Sequence, residues 1–349
     1  MKKFDDPLLR FEKMVEEKSI IFFDAFEFEN IISHYIDSGK HSLAKKALKL
    51  SLGQHPSNTN LALYEVELLI IEERFEEALI LVNNILNIET KNYDAIFLKA
   101  NIFSKQKKYH KSISLLKEIV NQSDNNPDIF YQIGVEYLFL EKYYEAIHYF
   151  KKSLKFDIND QSCLYNILHC YESLKNNQHS INFLKEYLSN NPYSEIGWLN
   201  LGKNYLKEKK IIDAINAFDY AIFSDDSFVA AYIEKGKAFE MIKKYDEAIK
   251  NYNELILINS KTSFALFRIG FCFEKKLELS NALKFYKKCL DIDPKMDKAY
   301  YRISMFYYRK NNFKECMKYI EKAIKSNEEK SKYWRIYLNC LSRSSKKNY

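Results

Sequence analysis

The stretch that decides the fold is residues 195–262, EIGWLNLGKNYLKEKKIIDAINAFDYAIFSDDSF followed by VAAYIEKGKAFEMIKKYDEAIKNYNELILINSKT. Laid one above the other, its two halves keep similar residues in register. Trp198 falls over Tyr232, Gly202 over Gly236, Tyr205 over Phe239 and Ala214 over Ala248, each 34 residues on. The rare residues carry the period outward. Trp198 and Trp334 are four such steps apart, Gly134, Gly202, Gly236 and Gly270 all fall on it, and so do Pro56, Pro192 and Pro294. A fixed period of this length, kept by three unrelated residue types, marks an array of stacked supersecondary units.

Counting from Ala25, the columns state the physics of one unit. Positions four, seven, eight and eleven follow the i, i+3, i+4, i+7 spacing of one helix face. The fourth reads Phe28, Phe130, Leu164, Trp198, Tyr232 and Leu266 among others, and the eleventh Tyr35, Tyr137, Tyr205 and Phe273. The twentieth is never larger than cysteine, running from Ala44 through Ala146 and Ala214 to Cys316. Small residues at eight and twenty let two antiparallel helices approach closely, because bulk there would overpack the contact. The large fourth and eleventh residues are expected to fill the space between hairpins, with Trp198 as a core residue. Proline at thirty-two ends the second helix. Gly39, Asn176–Asn177 and Asn311–Asn312 mark the turns, where left-handed backbone is tolerated.

On these columns the chain resembles the tetratricopeptide-repeat family, and in particular uncharacterised bacterial proteins made almost wholly of such repeats. The motif is strongest from Pro127 to Pro294 and degraded where Val66, Ala100 and Ser112 replace preferred residues. The resemblance implies an all-α, right-handed superhelical solenoid of antiparallel helix pairs. The expected organisation is a capping helix and lead-in over 1–24, then nine repeats at 25–58, 59–92, 93–126, 127–160, 161–194, 195–228, 229–262, 263–296 and 297–330. A C-terminal capping helix over 331–342 shields the last apolar face, and a disordered tail covers 343–349. Asp6-Pro7 reads as the start of the first capping helix.

Composition agrees with this class. Hydrophobic residues make up 47%, with only 7 Gly and 5 Pro in 349 residues, as long helices require. No early apolar run reaches the length of a secretory core, and none approaches a membrane span. Six cysteines without a CxxC pair point to a reduced, cytoplasmic chain. No phosphate loop, dinucleotide fingerprint, HExxH or nucleophile elbow is present, and no histidines are spaced as a ligand pair. The expectation is a protein that is not an enzyme and takes no cofactor and no metal.

The net charge of +7 is unevenly placed: Lys295–Tyr349 holds 15 Lys+Arg against 5 Asp+Glu. By the resemblance, first helices line a concave groove, exposing positions two, five, six, nine, twelve and thirteen. The early repeats place Glu29, Asp37, Glu67 and Asp94 there. The later ones place Asn166, Asn200, Lys203, Lys237, Arg268, Lys298 and Arg302, interleaved with Phe267, Phe271 and Tyr301. Some family members clamp a peptide C-terminal carboxylate through Lys and Asn side chains at these positions. Lys298 and Arg302 match one repeat of that clamp, whereas Ile233, Lys237 and Arg268 depart from it. The resulting expectation is a scaffold binding a protein or peptide segment through those ten residues, whose cations suit an acidic one. The alternative is single-stranded nucleic acid, with cations on phosphates and rings under bases.

Overall fold

A computed structural model describes residues 6–17, 21–122, 126–259 and 262–345. All regular structure among them is helical. The packing divides the chain into two compact units, residues 1–174 and 175–349. The N-terminal unit contains α1 (Pro7–Glu17), α2 (Ala25–Asp37), α3 (His41–Gln54), α4 (Thr59–Ile71), α5 (Phe75–Ile88), α6 (Tyr93–Lys105), α7 (Tyr109–Gln122), α8 (Pro127–Phe139), α9 (Tyr143–Leu154) and α10 (Gln161–Ser173). The C-terminal unit contains α11 (Asn177–Asn190), α12 (Glu195–Lys207), α13 (Ile211–Ser224), α14 (Val229–Met241), α15 (Tyr245–Ile258), α16 (Ser263–Lys275), α17 (Leu279–Ile292), α18 (Asp297–Arg309), α19 (Phe313–Ser326) and α20 (Ser331–Ser345). Within each unit the helices pack on their neighbours in sequence, an all-α solenoid of helix pairs.

The starts of the first helices share one device. Asp24, Asn58, Asn92, Asn126, Asp160, Ser194 and Thr262 each accept a hydrogen bond from a backbone N–H in the first turn of the following helix. These residues lie on the 34-residue period and close donors the helix itself cannot satisfy. The first helices end on another. One residue per turn sits in left-handed backbone: Gly39, Glu73, Lys107, Glu141, Lys175, Lys209, Lys243, Leu277 and Asn311. The next residue's N–H then bonds back five residues, as Lys40 does to Tyr35 (2.8 Å) and Lys244 to Phe239 (2.9 Å), a Schellman closure. The turn assignment is therefore corrected at Asn176–Asn177. Lys175 takes the left-handed place, and Asn176 caps α11 by accepting from the His179 N–H. Lysine and glutamate fill this place more often than glycine does, so composition alone concealed it.

The small columns are buried as the helix contact requires. All nine twentieth-position residues are buried, Ala44 through Cys316. At position eight, a Cβ added to Gly202 would lie 2.4 Å from the Phe218 ring, and one added to Gly236 would lie 2.4 Å from Tyr252. Repeats with glycine at eight carry an aromatic ring at twenty-four; Ile32, Val66 and Ala100 instead face Leu48, Val82 and Leu116. Where position eight gives up its side chain, position twenty-four supplies the bulk. First helices also bury a second stripe, positions three and ten. Ala95, Cys163, Ala231, Ala265 and Ala299 hold the former, and Ile102, Cys170, Ala238 and Cys272 the latter. Position ten meets position twenty of the preceding repeat, where Asn204 Nδ2 donates to Ser180 Oγ (3.0 Å) and Cys340 Sγ lies 3.0 Å from Cys316 Sγ.

Three expectations change at the edges of this pattern. Trp198 is half-buried, because its ring stacks on Tyr220 at 4.6 Å and its Nε1 donates to the Pro192 carbonyl (2.8 Å). The last helix runs to Ser345, so residues 343–345 are helical, and the rest of the expected tail lies outside the described residues. That helix does not seal the apolar face. It buries Tyr333, Ile336 and Cys340 on α19 but leaves Trp334 43% and Leu338 60% exposed. At the other end α1 begins as expected, with Asp6 Oδ1 accepting from the Leu8 N–H (3.0 Å), and it buries Phe11 and Met14.

Two outcomes test this account. Gly202→Ala is expected to cost about 1–3 kcal/mol by urea titration through overpacking on Phe218, and Phe218→Leu in the same chain should recover most of the loss. The second concerns the docking of α20, where Asp297 accepts from Tyr333 Oη (2.9 Å) and pairs with Lys330. Burial pushes the Asp297 carboxyl up, but Lys330 and Tyr333 outweigh it and hold the group below its ordinary value of 3.8. A depressed carboxylate stabilises the fold above its unfolded pKa, and the contribution is lost as pH falls through the folded value. The stability difference between wild type and Asp297→Asn should therefore be full at neutral pH. It should shrink below about pH 4, as followed by thermal melts across pH.

Candidate protein-interaction surface

Each first helix buries its inner stripes and leaves a second face outward, and the sequence-derived residues lie on that face. In the C-terminal unit the cations on it are largely spoken for. Arg268 Nε donates to Glu240 Oε1 (2.8 Å), and its Nη2 contacts the other carboxylate oxygen. Tyr252 Oη donates to the same Glu240 Oε1 (2.7 Å). One repeat later the arrangement recurs. Glu274 accepts from Tyr286 Oη (2.9 Å) and Arg302 Nη1 (3.3 Å), with Arg309 Nη2 added at 3.4 Å. Tyrosine, glutamate and arginine thus repeat together at the period, from positions twenty-four and twelve of one repeat and six of the next. Each tyrosine is the ring seated over Gly236 or Gly270.

Burial makes these links strong. The Glu240 and Glu274 side chains are only 6% and 13% exposed, and a buried carboxylate is costly without a cation and hydrogen bonds around it. Burial, then the neighbouring glutamate, pushes the Tyr252 and Tyr286 hydroxyls well above the ordinary tyrosine range, so both stay protonated as donors. Burial opposes the Arg268 charge, but Glu240 overrides it and raises its pKa. Between the guanidinium groups lies Phe271, with Arg268 at 5.0 Å and Arg302 at 5.3 Å from its ring centroid, a double cation–π contact.

The other expected residues divide. Lys237 pairs with Glu234 (2.9 Å) and sits 5.9 Å from the Phe264 ring centroid. Phe267 is half-buried, its ring 5.5 Å from Tyr286. Tyr301 packs on Tyr333 at 5.1 Å under Lys332. Asn200 Nδ2 donates to the Ile196 carbonyl (2.8 Å) in its own helix. Lys203 and Lys298 are exposed, and neither makes an ion pair among the described residues. Asn166 belongs to the N-terminal unit, where its Nδ2 donates to Tyr131 Oη (3.1 Å).

The N-terminal unit contrasts with this. Glu29, Glu67 and Asp94, from α2, α4 and α6, line a recess of about 350 Å³ together with Tyr64 and Phe97. Among the described residues none of the three carboxylates pairs with a cation. Burial, then Asp37, raises the Glu67 pKa, and burial with Glu29, Glu67 and Asp37 raises that of Tyr64. The cysteines are buried throughout the described residues, and burial pushes Cys163, Cys272 and Cys289 up to about 12, far from a reactive thiolate. Among the described residues no three His, Cys, Asp or Glu side chains are grouped to hold a metal, and no helix is long and apolar enough to cross a membrane.

The ion-pair assignment has a direct consequence. Glu240→Ala leaves Arg268 without its carboxylate and Tyr252 without its acceptor, and is expected to cost about 3–5 kcal/mol in urea unfolding. Arg268→Glu, which sets two carboxylates together, should cost at least as much.

Comparison with known proteins bears on the repeat itself. Tetratricopeptide-repeat models match residues 162–194, 229–262, 297–330 and 264–295. The model for anaphase-promoting complex, cyclosome, subunit 3 matches residues 72–153. No curated protein matches the chain. Among solved structures, MamA is 28% identical, covering 48% of this chain and 98% of its own at a TM-score of 0.43. YrrB, described as a TPR protein with an unusual peptide-binding site, is 17% identical, covering 55% and 97% at 0.43. The C-terminal part of a TPR repeat-containing protein from Cytophaga hutchinsonii is 13% identical, covering 69% and 98% at a TM-score of 0.55, and shares the fold. The 34-residue columns, the paired helices that they build and the repeat models that match them agree: the chain is a tetratricopeptide-repeat protein.

Proposed function

We propose that the chain is a non-catalytic scaffold that holds a segment of another protein along the outward faces of its first helices. The observation that carries this reading is the recurrence of that face. Every repeat spends one set of stripes on the core and leaves another, charged and aromatic, at the same register. Such a surface offers a row of subsites at one register to an extended chain.

The charges left open decide the ligand's polarity. An acidic segment would meet Lys203 and Lys298, but it would have to draw Arg268 and Arg302 away from Glu240 and Glu274. A segment bearing lysine or arginine would meet Glu29, Glu67 and Asp94 directly, its alkyl stems lying along Tyr64 and Phe97. The second arrangement needs no internal pair to break, so we favour a basic, apolar-containing segment in the N-terminal unit. Single-stranded nucleic acid is disfavoured for the same reason, since the two best-placed guanidinium groups already have anionic partners.

Fluorescence anisotropy with three labelled probes tests this: a peptide of alternating Lys and Leu, one of alternating Glu and Leu, and an oligo-dT strand. The basic peptide is expected to bind, and Glu67→Gln/Asp94→Asn should weaken it about tenfold or more. Binding of the oligonucleotide alone, with a steep salt dependence, would replace the scaffold reading with the nucleic-acid one. Binding of the acidic peptide alone would move the site to the C-terminal unit.

A further inference from the structure

A cleft of about 380 Å³ opens in the C-terminal unit, with lining residues from α11, α12 and α13. Its volume lies in the range of small-ligand sites, about 300–1,000 Å³. The repeat register shows what one wall of it lacks. In three other repeats an aromatic ring at position eleven stacks on a second ring at position twenty-three. Tyr137 and Tyr149 lie 5.6 Å apart with planes 19° apart, Phe273 and Phe285 5.4 Å and 24°, Tyr307 and Tyr319 5.6 Å and 14°. In the repeat of residues 195–228 position eleven keeps its ring, Tyr205, but position twenty-three is Ala217. Both residues line the cleft, and no aromatic ring stacks on Tyr205 among the described residues.

The remaining lining fits a ring arriving from outside the chain. Leu201 adds apolar surface, and the stacked pair of Trp198 and Tyr220, 4.6 Å apart, adds a flat, stiff wall. Asp213 supplies a polar group for whatever backbone carries the ring. Lys185 lies 6.0 Å from the Tyr205 centroid and places a cation on that ring. We propose that this cleft binds an aromatic side chain, phenylalanine or tyrosine, of a partner protein, which takes the place that a position-twenty-three ring holds elsewhere in the chain. The site is independent of the first-helix surface. Trp198, Leu201 and Tyr205 stand at positions four, seven and eleven of their repeat, and that surface uses two, five, six, nine, twelve and thirteen.

Trp198 is a built-in reporter, because Trp334 is the one other tryptophan and Trp334→Phe leaves Trp198 alone. In that background the protein is titrated with N-acetyl-phenylalaninamide and, separately, N-acetyl-leucinamide. The expected result is a saturable change in Trp198 emission with the aromatic amide. The aliphatic one should bind about three- to tenfold more weakly, the range set by ring–ring contacts. Ala217→Phe supplies the missing ring and should abolish the response while circular dichroism stays unchanged. No saturable response in the unfilled protein, equal affinity for the two amides, or undiminished binding by Ala217→Phe each overturns the proposal. If Ala217→Phe loses helicity, Tyr205→Leu decides: it should lower phenylalaninamide binding to the leucinamide level, and a preserved preference for the ring also overturns the proposal.

Discussion

The close approach of two antiparallel helices within each repeat is the constraint on which everything else in the structure rests. It is set at one point, where position eight of the first helix faces positions twenty and twenty-four of the second. A helix pair can be held at constant separation by different residues, provided that their volumes sum to the same space. Gly202 under Phe218 and Val66 beside Val82 are two solutions of that condition. The glycine solution has a further effect. It lets a large ring lie flat across the first helix, and when that ring is tyrosine its hydroxyl comes within reach of position twelve on the far side. The Glu240–Tyr252 and Glu274–Tyr286 bonds follow from that geometry.

From there the electrostatics of the later repeats become a chain of consequences. A glutamate drawn to the tyrosine hydroxyl is mostly buried, and a mostly buried carboxylate needs a cation. The next first helix supplies one at position six, so neighbouring repeats are joined by charge as well as by apolar contact. The repeat before them shows the converse. Phe218 has no hydroxyl, position twelve is Leu206, and position six of the next repeat is Glu234. The three columns change together because they are one interaction. In a solenoid, stability is a sum of repeat terms and nearest-neighbour terms, and here the neighbour term contains a specific ion pair between α14 and α16 and another between α16 and α18.

This explains how much of the molecule was legible in the sequence. The period, the pairing of helices and the buried twentieth column follow from single columns, because each keeps one kind of residue at one register position along the array. The surface does not. Read alone, Arg268 and Arg302 are cations on an exposed face; read with residues 28 and 16 positions earlier, they are neutralised. The pairing signal was present, since Glu240, Tyr252 and Arg268 each recur one period later, but it required three columns to be taken at once. The turns were hidden for another reason. The left-handed residue is held by the Schellman bonds around it, and with that closure formed Lys209 or Leu277 occupies the place that Gly39 holds in the first repeat.

The same logic says where to look for function in a repeat array. Positions that serve the fold are coupled, so a change at one is matched at its partner. Gly202 and Phe218 depart from the aliphatic repeats together, and the fold is undisturbed. A change without its match leaves a place to be filled from elsewhere, as Phe11 packs on Tyr35, whose own position twenty-three is Ala47. Tyr205 is such a residue: it keeps the ring of the eleventh column while Ala217 has given up the ring that would stack on it. A cleft walled by aromatic surface is costly to leave open to water, because the apolar area that burial would have removed remains exposed. The fold gains nothing from that exposure. An incoming ring would gain what the internal pair gains where two such rings stack, and that makes the unmatched position, rather than the most charged one, the informative feature of this surface.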